Sequence, residues 1–229
     1  MQAQQSGNPV RVRSLSPPSR VVAVPGCHPG LPTRIASASR ATRLAIRFIR
    51  VACLVWSLGC AAPALAQTPF SISSTDFVAG ETLRAAQMSN LGGCAGRNQS
   101  PAVSWRNAPP GTVGFAITLH DIDTPGRGWW HWAVVNIPAS IRQLDTNASA
   151  SGALAALGAI EARNDFDNDG YGGPCPPAGT VHRYVLSVYA LKTTNLRVAP
   201  GRPAPFFEHE ILDSALAHAA IVVKNQPRR

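Results

Sequence analysis

The chain of 229 residues has no uninterrupted apolar run of roughly 18 residues, which excludes a multi-span helical membrane protein. It has no Gly-x-Ser-x-Gly elbow of a serine hydrolase and no His-x-x-x-His spacing of a common metal site. No acidic residue precedes position 67, and only Lys192 and Lys224 are lysines among the 21 basic residues. No Met lies between Met1 and Met88. At 45% hydrophobic residues, the composition excludes a disordered protein.

A formal net charge of +9 would ordinarily point to nucleic acid or an anionic membrane. Its distribution argues otherwise. Residues 1–66 hold eight arginines and no acid, a charge of +8, whereas the rest has 13 basic and 12 acidic residues, 13 − 12 = +1. Residues 40–66 have the layout of a secretory signal. Arg40, Arg43, Arg47 and Arg50 precede a short apolar core, Val51 to Leu58, and Ala64-Leu65-Ala66 forms an A-x-A cleavage site before Gln67. Cys60 sits as in a lipoprotein site, but Ser57 replaces the large aliphatic residue expected three positions earlier. Residues 1–39, rich in Arg, Ser and Pro, read as an over-extended start or an organelle-type leader. The expectation is a mature domain of residues 67–229, periplasmic or secreted, without a transmembrane anchor. Its Lys and Arg are scattered, so no nucleic-acid partner is expected.

Five cysteines become two in that domain, Cys94 and Cys175, each in a Gly-rich loop. One pair in an oxidising compartment suggests one disulfide, with two free thiols as the alternative.

Strand signals are strongest at Val113–His120, Trp132–Ile137 and Arg183–Leu191, with shorter ones at Phe70–Ser74 and Ser104–Trp105. Phe207–Ala219 has helical spacing, and Ala220–Lys224 reads as a last strand. Residues 148–160 are Ala-rich but contain Gly152 and Gly158, consistent with a loop holding at most one helical turn. Short strands, long Gly/Pro-rich loops and one late helix indicate a mostly antiparallel β-sandwich.

Four constellations could carry chemistry. Asp121-Ile122-Asp123-Thr124-Pro125 follows a strand and could aim two carboxylates at one pocket, or cap its own turn. Gly128-Trp129-Trp130-His131-Trp132 surrounds a histidine with aromatic rings, as a small dry pocket or a packed core would. Residues 170–177, Gly-Tyr-Gly-Gly-Pro-Cys-Pro-Pro, could cradle an anion on backbone N–H groups, and His182-Arg183-Tyr184 follows. Asp165-Phe166-Asp167-Asn168-Asp169-Gly170 matches the first half of a calcium loop, but Pro176 stands where the closing Glu belongs.

Taken in order, the first three motifs resemble the phosphatidylethanolamine-binding protein family, most closely its exported bacterial Raf kinase inhibitor-like branch. Asn98-Gln99-Ser100-Pro101, Ser104-Trp105 and Ala108-Pro109-Pro110-Gly111-Thr112 share the resemblance, which runs from about Phe70 to the late helix. It implies a β-sandwich with a small pocket for phosphate-like anions. Asp121, His131, His182, Tyr184 and Pro176 would bind the anion, with Trp130, Gly173, Cys175 and Pro177 as walls. The acidic run at 165–169 exceeds what the family pattern implies. The expected partner is a phosphate or phospholipid head group, with no cofactor and no metal. Two other functions compete: an inhibitor or scaffold of a protein partner such as a kinase or protease, and a metal-dependent hydrolase at Asp121, His131 and His182.

Overall fold

The structure, a computed structural model, describes residues 68–226. The leader and signal segments inferred above lie outside the described residues. Among the described residues eight strands form two antiparallel sheets. The smaller holds β1 (Ser71–Ser73), β2 (Val103–Arg106) and β5 (Gln143–Leu144) in the order β1-β2-β5. The larger holds β3 (Gly114–Asp121), β4 (Trp129–Pro138), β6 (Ile160–Glu161), β7 (Arg183–Leu191) and β8 (Ala215–Lys224) in the order β6-β4-β3-β7-β8. Two helices accompany them, a single turn α1 (Ala153–Ala156) and α2 (Ala204–Ser214).

The apolar residues of β3 explain the layering. Gly114–Asp121 is buried at every position except His120, because both faces of the large sheet are covered. On one face Phe115, Ile117 and Leu119 pack with Trp132, Tyr184 and Leu186, against Val103, Trp105 and Leu144 of the small sheet. On the other face Ala116, Ala133, Val135 and Leu191 pack beneath Phe207 and Ile211 of α2. The expected β-sandwich is therefore present, and the late helix covers the outer face of its larger sheet. Among the described residues no helix is long and apolar enough to cross a membrane.

Two boundaries differ from the sequence expectation. The helix expected over Phe207–Ala219 spans Ala204–Ser214, and the chain passes directly into β8 at Ala215. Alanine fits either period, so pairing decides. Residues 215–224 pair with the whole of β7, from Leu191↔Ala215 to Arg183↔Lys224. Leu212 and Leu216, within the stretch of helical spacing, are exposed. The second difference is that β4 begins at Trp129 rather than Trp132. The aromatic cluster is thus part of the ladder, with Trp129 opposite Asp121.

Cys94 and Cys175 form a disulfide across 81 residues, tying the loop after Ser89 to the Gly/Pro loop before β7. A cross-link of that span stabilises by about 2–4 kcal/mol. Reduction, or Cys94→Ala with Cys175→Ala, is expected to lower the melting temperature by on the order of 10 °C in calorimetry. An unchanged midpoint would mean that packing alone holds the loops.

Candidate functional site

At one end of the large sheet three neighbouring strands place Trp129, Asp121 and Tyr184 side by side, through the pairings Asp121↔Trp129 and Asp121↔Tyr184. A bulge in β4 adds a fourth group. The register jumps between Leu119↔Trp132 and His120↔Trp130, so His131 is the extra residue. A bulge re-aims a side chain. Here it brings the His131 ring to 5.4 Å from that of Tyr184, while Trp132 joins the inter-sheet core and Trp130 faces the α2 side. These groups, with His182, Thr124 and Phe166, line a cavity of about 290 Å³ whose wall includes Cys175, Pro176 and Pro177.

Asp121 is buried and fully engaged. Its Oδ1 accepts from the backbone N–H groups of Asp123 and Thr124. Its Oδ2 accepts from the Thr124 hydroxyl at 3.0 Å and from His182 Nδ1 at 2.7 Å. That bond leaves His182 Nε2 for a ligand. The segment carrying His182 is anchored by buried Asn225, whose Oδ1 accepts from the His182 N–H at 2.6 Å and whose Nδ2 donates to the Thr180 carbonyl.

His131 is held differently. Its Nδ1 lies 2.6 Å from the Gly172 carbonyl, which can only accept, so Nδ1 carries the proton. Burial, only partly offset by this bond, pushes its pKa down to about 4. At neutral pH it is therefore an uncharged ring with Nε2 as an acceptor. Tyr184, pushed above its ordinary pKa mainly by burial, keeps its phenol proton. Its hydroxyl and the Trp129 indole N–H are buried without a hydrogen-bond partner among the described residues. Each such orphan costs about 1–3 kcal/mol, and a ligand oxygen would relieve it.

Asp121, His131, His182, Tyr184, Cys175, Pro176 and Pro177 thus line one cavity. Two other residues named as walls do not line the cavity. Trp130 stacks on His120 at 4.2 Å within the second core. Gly173 packs against the segment after Ala86, where an added Cβ would lie 2.5 Å from the Gln87 carbonyl oxygen. Asp123 also turns away from the cavity. It grips Arg183 through Nη2 at 2.6 Å and Nε at 2.9 Å, and the guanidinium holds its pKa down to about 2. The calcium-like run disperses as well, with Asp165 on Arg127 and both Asp167 and Asp169 on Arg163. Among the described residues no three His, Cys, Asp or Glu side chains group as metal ligands would.

The family model described as phosphatidylethanolamine-binding protein matches residues 73–226. The chain belongs to the phosphatidylethanolamine-binding protein family. YbcL of Escherichia coli is 43% identical over 132 residues, covering 56% of this chain and 72% of YbcL. YbhB of the same organism is 36% identical over 149 residues, 65% of this chain and 94% of YbhB. LppC of Mycobacterium tuberculosis, described as a lipoprotein, is 32% identical over 161 residues, 70% of this chain and 74% of LppC. The crystal structure of YbcL, described as a member of the mammalian PEBP family, superposes with a TM-score of 0.67 at 36% identity. It covers 70% of this chain and all of the YbcL chain.

Within this family member the sequence motifs missed three lining residues, Trp129, Thr124 and Phe166. Trp129 was legible in principle, two positions before His131 on one strand. Phe166 was not, because it arrives on a loop whose sequence reads as a calcium motif.

The pKa of His131 sets a stability prediction. Its ordinary value is about 6.5, so between pH 6.5 and 4 the unfolded chain takes up a proton that the folded chain refuses. Stability is full above that window and falls, by about 3 kcal/mol, as pH drops through it. Urea unfolding at pH 7 and pH 4.5 should show this loss in the native protein and less of it in His131→Asn. Equal losses would place the titrating group elsewhere.

Proposed function

We propose that this protein is an exported binding protein whose small pocket captures a phosphate-like anion, free or as a phospholipid head group, without chemical turnover. The observation that carries the reading is the pair of buried donors without partners, Tyr184 Oη and Trp129 Nε1, in a cavity that His131 and His182 also line. Unpaired donors on residues that line a cavity suit a ligand rich in acceptor oxygens. The family's description as binding proteins supports it, and the likeness to a lipoprotein together with the signal-like segment at 40–66 supports export.

The two histidines act differently. His182, with Nδ1 on Asp121, keeps Nε2 for the ligand. His131, neutral with Nε2 as acceptor, suits an oxyanion that brings its own proton, such as a phosphate or phosphomonoester bearing one P–OH. The need for a ligand that brings its own proton to His131 makes binding proton-linked.

Titration calorimetry with inorganic phosphate and phosphoethanolamine tests this. Affinity is expected to rise from pH 8 to pH 5.5. Tyr184→Phe is expected to weaken binding about 10-fold or more, a charge-assisted hydrogen bond being about 1.5–3 kcal/mol, while leaving the free fold as stable or more so, because an orphan hydroxyl is removed. Flat affinity across that pH range, or a Tyr184→Phe protein that binds undiminished, would refute the donor arrangement.

A further inference from the structure

A second cavity of about 590 Å³ lies beside the anion pocket, sharing only Phe166 and Cys175 with it. It is the larger of the two, and its size lies within the range of small-molecule sites. One side is the loop carrying Asn90 and Leu91, tied down by the disulfide at Cys175. The opposite side carries Ala150, Glu161 and Asn168. No Lys, Arg or His lines it, Glu161 does, and Asp169 is paired with Arg163, so it offers no cation to the anions that its neighbour suits.

Its polar groups are mixed in kind. Glu161 Oε1 is engaged by Trp132 Nε1 at 2.7 Å and the Ser149 hydroxyl at 2.6 Å, whereas no hydrogen bond among the described residues reaches Oε2. Asn98 spends Oδ1 on the Gly173 N–H at 2.6 Å and leaves Nδ2 without a partner there. Asn168 spends Nδ2 on the Phe166 carbonyl and leaves Oδ1. The free set therefore holds acceptors, Glu161 Oε2 and Asn168 Oδ1, and a donor, Asn98 Nδ2. Asn90, whose amide makes no side-chain hydrogen bond among the described residues, adds one more of each. An ammonium ion would leave the donors unanswered, and a carboxylate would meet the Glu161 carboxyl with no cation lining the cavity to answer it. Hydroxyl groups both donate and accept, so a ligand bearing several of them answers the whole set. Phe166, 40% exposed, supplies an apolar ring for the C–H face of such a ligand.

We infer that this cavity is a second binding site, for a neutral hydroxyl-rich ligand of the mono- or disaccharide class. The inference does not rest on the anion reading, since no group donating to the anion belongs to it.

Saturation-transfer NMR of the purified protein with glucose, N-acetylglucosamine, maltose, myo-inositol and glucuronate tests it, at sugar concentrations up to about 10 mM, where even weak sites fill. At least one neutral sugar is expected to bind saturably, more tightly than glucuronate. Ala150→Trp, at an exposed position on the cavity wall, should abolish that binding, and Asn90→Ala should weaken it about 5- to 10-fold, as loss of a hydrogen bond does. Both variants should keep the native melting temperature and phosphate affinity, which reads the neighbouring pocket separately. Silence across the neutral sugars, or binding that Ala150→Trp leaves intact, overturns the inference.

Discussion

The carboxylate of Asp121 is the group around which this end of the molecule is arranged. Placed at the last residue of β3 and almost fully buried, it cannot remain charged there without donors. Four donors answer it: two backbone N–H groups and a hydroxyl from the turn that follows, and the His182 ring from the segment entering β7. The turn is thereby closed, the imidazole is oriented, and two adjacent strands are joined where the ladder ends. Gly128 belongs to the same constraint. Its φ is 76°, and a Cβ there would lie 2.4 Å from the Asp121 carbonyl oxygen, so only glycine lets the chain turn back into β4 so closely.

With Asp121 saturated, the polar capacity left over belongs to other residues that line the cavity. Tyr184 and Trp129 keep donors that the fold does not use, and the two histidines are each committed at Nδ1. The cost of the orphan donors is borne by a well-packed core, Tyr184 itself being fully buried in the inter-sheet cluster. The disulfide and the paired prolines fix the remaining wall. The site is held by strands on one side and a cross-linked loop on the other, an arrangement that orders donors before any ligand arrives.

Much of this was legible along the chain. The strand at Arg183–Leu191 coincides with β7 in full, and the motif order placed Asp121, His131, His182 and Tyr184 in one pocket. The failures have separate physical causes. Alanine carries no period of its own, so residues 215–219 took the conformation that β7 offered as a partner. Strict alternation would have put Trp130 and Trp132 on one face, but the bulge at His131 sends them to different cores. Asp123 and Asp165 were equivalent to other acids in a motif, and were withdrawn by Arg183 and Arg127, which are distant in sequence.

By itself the sequence determined the antiparallel strand-rich class and the pairing available to its two late cysteines, since these follow from short-range pattern and composition. The pocket's titratable groups, by contrast, were named only through the family resemblance of the motifs. Only the tertiary structure decided which acids serve the pocket, which tryptophan lines it and that burial keeps His131 neutral. Those outcomes depend on burial and on partners supplied from remote segments, such as the Gly172 carbonyl beneath His131. The second cavity belongs wholly to the tertiary level, because its walls come from residues 89–98, residues 149–150 and the run from β6 to Cys175, which no local pattern brings together.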